Sequence, residues 1–429
     1  MKRLSVLLTL VFAISATALY AQDANTIFST AKSNYDAKSY QAAADGFKRY
    51  TEMVPSDYAG FYNLGLSYYY LGRYADSTIP FKEALRIKPD NYKGWVQYGS
   101  ALDSAGKLSE AITAYQTAIN LEPNNPSAHK EMGLAYYFAD KYPEAEKSLR
   151  RAATLGATDA RTHYWLSRAL YAQNSFGDGL REINEAIRLD KTQSDYHTIL
   201  GDTLYSTKQY TDAISAYRES IRLKPGNSAV HYYIGQSYYG LLQYKDAIPP
   251  FQEAVRLKPD YYLGWVYLGN SLDYENRLTE AIAAYQQALK LKPDDAEAYA
   301  ELGILYNRAK NYSDAEKYAR ESIKRKPDYA KYHIDLSSDL RLLNRSSEAV
   351  IAANEAIRLD PKNADAYYEL GLCYVALRDQ ARAARKIVAA NGYQAKAKEQ
   401  LAKLQDLDPE QAQKLSDKIT PPPKPAVKP

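Results

Sequence analysis

A proline recurs along this chain with a step of 34 residues. Pro55, Pro89, Pro123, Pro225, Pro259, Pro293, Pro327 and Pro361 are separated by multiples of that number, with Ala157 and Lys191 in the two slots between. A small residue keeps the same step as Ala31, Gly65, Gly99, Gly133, Ser167, Gly201, Gly235, Gly269, Gly303, Ser337 and Gly371. So does an alanine, at 43, 111, 145, 213, 247, 281, 315, 349 and 383, with Ser77 and Gly179 the exceptions. The phase reads as unbroken by insertion or deletion. A period of this length means one supersecondary unit copied in tandem, each copy burying its apolar face on the next.

One copy, Leu263 to Asp295, shows what the unit is. Trp265, Leu268, Gly269 and Leu272 fall at i, i+3, i+4 and i+7, one face of a helix. After a polar break at 274–277, Ala281, Tyr285, Ala288 and Leu291 mark a second helix. Gly269 in mid-helix costs about 1 kcal/mol against alanine, so close approach of the two helices must need the missing side chain. Pro293 ends the second helix, because proline lacks the backbone donor and disfavours helical geometry in the residue before it. The unit is an antiparallel helical hairpin.

The pattern Trp265-x-x-Leu268-Gly269-x-x-Leu272, then Ala281-x-x-x-Tyr285 and Pro293, resembles the tetratricopeptide repeat family. Eleven copies span residues 24–397. The resemblance implies an all-α fold, a right-handed superhelical α-solenoid of helical hairpins, with first helices lining a concave groove and second helices outside. At roughly 10 Å per packed helix layer the groove would run on the order of 110 Å. Function in this family is protein–protein interaction without catalysis, and no cofactor is implied.

A second period overlies the first. With a shift of 170 residues, Ser77–Phe81 lies on Ala247–Phe251, Gly94-Trp95-Val96 on Gly264-Trp265-Val266, and Leu108–Ile112 on Leu278–Ile282. Residues 58–227 and 228–397 therefore read as a duplicated five-repeat block. Pro80 and Pro250 fall in mid-helix in both, which predicts matched kinks or helices that start late. Met1–Ala21 has a basic start, an apolar run and small residues at its end, and reads as a secretory leader; periplasmic or secreted localisation follows. Residues 398–419 read as capping helices, with Leu401, Leu404 and Leu407 on one side and an Asp408-Pro409 helix start. Thr420–Pro429, TPPPKPAVKP, reads as an extended tail.

Composition closes several function classes. With 55 basic and 51 acidic residues the net charge is +4 without clusters, which argues against a nucleic-acid partner. Cys373 is alone and suits packing. Phosphate loops, nucleophile–base pairs and metalloprotease motifs are missing from the sequence, so no enzyme and no metal site is expected. His129, His163, His197, His231 and His333 share the slot of Trp95 and Trp265, about 10 Å apart in successive repeats, too far to ligate one ion. They read as half-buried aromatic substitutes whose charging would oppose folding as pH falls.

Tyrosine is the compositional oddity, with 42 copies. Tyr68, Tyr136, Tyr238, Tyr306 and Tyr374 belong to the repeat motif, and Tyr74, Tyr142, Tyr210, Tyr244 and Tyr312 to the corner between helices; both sets read as core. A further set shares one first-helix slot, Tyr35, Tyr69, Tyr137, Tyr171, Tyr205 and Tyr239, joined seven residues earlier by Tyr62, Tyr164, Tyr232 and Tyr368. Asp103 and Asp273 interrupt the stripe, flanked by Ser100 and Asn270. These residues are the candidate groove lining. Wide rings with a hydroxyl and few rotors suit extended chains, so an extended protein segment is the expected ligand and a glycan the alternative. The family's clamp for acidic chain ends is missing from its slot, which holds Lys32, Leu66, Ser100, Leu134 and Arg168.

Ala160–Gln193 is the weakest copy: Gly177 and Gly179 loosen its second helix and Lys191 replaces the proline. It is the candidate hinge of the array, expected to be less protected than its neighbours. Hydrogen exchange that finds Ser175–Ile187 as protected as adjacent repeats would refute this.

Overall fold

The computed structural model describes residues 22–156 and 159–420. The leader Met1–Ala21 and the proline-rich residues 421–429 lie outside them. All regular structure among the described residues is α-helical, in tandem antiparallel hairpins whose first helix commonly has 13 residues and second 14, as in Tyr262–Tyr274 and Leu278–Leu291. No described helix is long and apolar enough to cross a membrane. Two compact units divide between Leu223 and Lys224. Within each unit, successive first helices touch one another, while each second helix packs on the next hairpin's first helix. First helices therefore form the more closely spaced side of each unit.

The glycine of the first helix faces the aromatic residue sixteen positions later. A Cβ on Gly269 would sit 2.8 Å from the Tyr285 ring, on Gly99 2.6 Å from Tyr115, on Gly201 2.4 Å from Tyr217, and on Gly235 2.7 Å from Phe251. Those rings, with Phe47 and Phe81, are among the largest fully or almost fully buried side chains. Where the ring is tyrosine, its hydroxyl must find an acceptor, because a buried unpaired polar group is costly. Residues fifteen positions earlier supply it: Tyr115 donates to Ser100 Oγ at 3.2 Å, Tyr217 to Asp202 Oδ1 at 2.8 Å, and Tyr285 to Asn270 Oδ1.

The ends of the hairpin are equally periodic. The corner residue takes a left-handed φ at Lys38, Gly72, Gly106, Asp140, Asn174, Lys208, Leu242, Asn276, Lys310 and Asn344, one per 34 residues. In that conformation the next amide reaches back to the first helix, as Arg73 N–H does to Tyr68 O at 3.0 Å, satisfying carbonyls the helix end leaves open. Seven first helices start behind Asp or Asn caps: Asp57, Asn91, Asn125, Asp159, Asn227, Asp295 and Asn363 accept from amides two or three residues on.

Three expectations change. First, the phase is broken in the last copy. Its first helix runs Ala364–Ala383, 20 residues, and the next left-handed residue is Arg385, 41 positions after Asn344. Seven extra residues are two helical turns, so the inward face is kept. Ala383 thus sits exposed at the end of the first helix, and the second-helix alanine slot passes to Ala390, which is buried. The second helix, Ile387–Leu407, and a last one, Pro409–Ile419, close the array, and Leu415 takes up the face of Gly371. Second, Tyr74–Ile87 and Tyr244–Leu257 run through Pro80 and Pro250, so neither helix starts late. Third, Tyr74 at its corner is 37 % exposed and is no core residue.

Gly179 is roomier than Gly99, Gly201, Gly235 or Gly269: a Cβ there meets nothing closer than 3.6 Å. Gly179→Ala is expected to stabilise the protein by about 0.5–1 kcal/mol. Gly269→Ala is expected to cost about 1–3 kcal/mol through overpacking against Tyr285. Opposite shifts in the urea midpoint of the two variants would verify this.

Candidate functional site

Of the ten candidate tyrosines seven lie in the first unit, and there the rings lean on neighbours rather than stand free. Tyr35 meets Tyr40 and Tyr70 at centroid distances of 5.6 and 5.9 Å, and Tyr62 meets Phe81 at 5.8 Å. Tyr137 packs edge-on to Trp165 at 5.1 Å with the Arg168 guanidinium over it, and Tyr164 meets Tyr196 at 4.9 Å. Tyr205 meets Tyr210 at 5.6 Å. Tyr69 and Tyr171 each reach a serine 35 residues on: their hydroxyls lie 3.4 Å from Ser104 Oγ and 3.0 Å from Ser206 Oγ. Asp103 is half-buried, and burial lifts its carboxyl above the usual range.

In the second unit the three differ in how far they are covered. Tyr232 is only 7 % exposed, packed against Phe251, Tyr261 and Tyr267, and accepts from Gln236 Nε2 at 2.9 Å. Tyr368 packs on the cluster formed by Ala397, Leu404, Ala412, Leu415 and Ile419, under the last two helices. Periodicity placed both rings on the right helix face; what covers that face is invisible to it.

Tyr239, Asp273 and Asn270 do come together, around a cavity of about 520 Å³ built by successive first helices. Tyr262, Tyr267, Tyr274 and Tyr285 add rings, and Asp295, Glu297, Glu301 and Lys292 add charge. Tyr274 is 61 % exposed and stacks on Tyr244 at 4.0 Å with 7° between planes. Asn270 is partly spent on the core, since its Oδ1 holds the Tyr285 hydroxyl. Asp273 pairs with Arg308 of the next repeat. Asp295 caps the helix Ala296–Arg308 through the amides of Glu297 and Ala298 and accepts from the Tyr262 hydroxyl. Burial works against its charge, but those bonds and Lys292 hold its carboxyl below the usual range. Glu301 has no such support, and burial raises it.

The shared histidine slot does a structural job. Trp95 and Trp265 donate their indole N–H to Pro89 O and Pro259 O at 2.8 and 2.9 Å, six residues back. His129, His197, His231 and His333 bond the carbonyls of Pro123, Lys191, Pro225 and Pro327 in the same way, and Tyr367 donates to Pro361 O. In these seven copies the slot holds a ring with a donor, fastening one repeat's second-helix end to the next repeat's first helix. His163 instead meets Glu182 Oε2 at 2.7 Å, a bond that raises its pKa. For this residue the expected sign reverses, because protonation is favoured in the fold.

Carboxyls buried along the second unit's first helices act in the same direction. Burial pushes Asp335 up to about 6 and Asp339 up to about 7, the latter although Asn307 Nδ2 donates to it at 2.5 Å. Both hold their protons more tightly folded than unfolded, so their ionisation costs stability above those values and the cost disappears as pH falls toward 4. Calorimetry is expected to show the melting temperature rising as pH drops from about 8 to about 5, with the rise reduced in Asp339→Asn and Asp335→Asn.

Comparison with known proteins agrees with this architecture. A profile of the cilia and flagella-associated protein 70 C-terminal domain matches residues 188–407, about half the chain. Tetratricopeptide repeat profiles match residues 28–92 and 130–195, and a TPR repeat profile residues 99–138. Comparison with curated proteins gave no match. The C-terminal part of a TPR repeat-containing protein from Cytophaga hutchinsonii superposes with a TM-score of 0.50 at 19% identity, over 56% of this chain and 99% of that one. A tetratricopeptide repeat protein from Parabacteroides merdae gives 0.45 at 15% identity over 58% of this chain and 99% of its own. YrrB, described as a TPR protein with an unusual peptide-binding site, gives 0.40 at 20% over 43% and 95%. With hairpin geometry, 34-residue period and profile matches in agreement, the chain belongs to the tetratricopeptide repeat family, whose members serve as protein-interaction scaffolds.

Proposed function

We propose that the protein is an exported, non-catalytic scaffold that holds an extended segment of a partner protein along its first helices. The observation that carries this reading is the cavity at Tyr239, Asp273 and Asn270, where rings and polar groups converge on the first-helix side. Rigid aromatic side chains give contact area at small entropic cost, and the flanking Glu297 and Glu301 carboxylates fix the register of a bound backbone. The basic and apolar start of the chain, ending at Ala21, supports export to the periplasm or beyond. A second reading, a glycan ligand, is favoured by one feature: the stacked Tyr244–Tyr274 pair presents a flat exposed ring beside Asp273 and Asn270, a surface that sugar rings also fit.

The mature chain used as bait in an envelope extract is expected to capture a protein partner, and Tyr239→Ala with Tyr274→Ala to reduce that capture at least about tenfold, or ~1.4 kcal/mol. Unchanged capture by the double variant would overturn the reading. Saturable binding on a glycan array, lost in the same variant, would favour the second one. Mass spectrometry of the exported protein is expected to find Gln22 as its first residue.

A further inference from the structure

The second unit contains acidic groups that its own fold does not satisfy. Glu301 lines the 520 Å³ cavity and borders a second one of about 160 Å³ on its other side. Its carboxylate has no hydrogen-bond or ion-pair partner among the described residues; Lys331 is the cation it feels, beyond ion-pair distance. One repeat further, in the same first-helix slot, Asp335 lines another cavity of about 160 Å³, and its Oδ2 is buried without a hydrogen-bond partner. The slot after that holds Glu369, which Arg341 neutralises at 2.6 Å. The same slot in the unit's earlier repeats is Tyr233 and Tyr267, so the acidic run is confined to its last three copies.

Unpaired carboxylates withdrawn from water are costly, and a cation brought to them recovers that cost. The rings around Glu301 add to this, since a guanidinium or ammonium held over tyrosine gains cation–π attraction. Successive first helices stand about 10 Å apart. An extended chain rises about 3.3 Å per residue, so residues i and i+3 span the same distance.

We infer that the first-helix side of the second unit receives an extended protein segment with two basic side chains three positions apart, one entering at Glu301 and the other at Asp335. The inference rests on the partner-segment reading above and names that segment's chemistry. It also distinguishes this chain from a scaffold selecting acidic chain ends, because the site's uncompensated charge has the opposite sign.

The test is fluorescence anisotropy with the mature chain and three labelled peptides of equal length and Thr/Pro-rich background. One carries arginines at i and i+3, the second glutamines there, and the third glutamates. The arginine peptide is expected to bind at least about tenfold tighter than the glutamine peptide and the glutamate peptide weakest of all. Glu301→Gln and Asp335→Asn are each expected to weaken the arginine peptide about tenfold and leave the glutamine peptide unchanged. Glu110→Gln, an exposed site in the first unit, is expected to change nothing. Circular dichroism melts verify that the variants fold. Equal binding of arginine and glutamine peptides, or arginine binding indifferent to Glu301→Gln and Asp335→Asn, overturns the inference and leaves the partner-segment reading standing. Failure of every peptide overturns it too: if the bait still captures a protein only the charge assignment is lost, and if it captures none both readings fail.

Discussion

The contact between a bare glycine and a buried ring sixteen residues later sets the geometry of the hairpin. A helix interior gives up about 1 kcal/mol to hold glycine rather than alanine, whereas full burial of a large apolar side chain returns about 1.5–3 kcal/mol. The exchange is favourable only if the ring lies flat on the exposed backbone. Gly99 with Tyr115, Gly235 with Phe251 and Gly269 with Tyr285 show that arrangement. Once the helices stand that close, the corner must turn within a few residues. The left-handed residue at each corner follows from the separation of the helices.

The choice between phenylalanine and tyrosine at the buried position reaches the first-helix surface. A phenol inside the hairpin needs an acceptor, and Ser100, Asp202 and Asn270 provide it from the face that also borders the partner side. These polar residues are therefore poor guides to ligand chemistry, being committed inward. Glu301 and Asp335 are different, since neither has a hydrogen-bond or ion-pair partner among the described residues. Polar groups that the hairpin explains and polar groups that it leaves unexplained lie side by side along the same helices.

Much of the hairpin was legible in the 34-residue step, because spacing alone reports helix faces and breaks. The Asp or Asn caps and the fifteen-residue bond between tyrosine and its acceptor also keep the period, yet they emerge only when pairs of slots are read together. The histidine slot was legible as aromatic, but the bond its rings make needs the Pro259 and Pro123 carbonyls in view. The candidate site was legible as a face and not as a surface. Tyr232 sits in the expected register and is covered by Tyr261 and Tyr267, and Tyr368 is half-buried against the closing helices, contacts that no periodic pattern encodes.

The lengthened first helix Ala364–Ala383 bears on how such a chain can change size. One inserted residue in mid-helix would rotate everything beyond it by about 100°, carrying the inward stripe off its neighbour, while seven return it to nearly the same azimuth. Length variation inside a hairpin is thus quantised in pairs of turns, and any other change must arrive as a whole copy. In this copy the two-turn increment gives Ile387–Leu407 and Pro409–Ile419 a longer wall to seal.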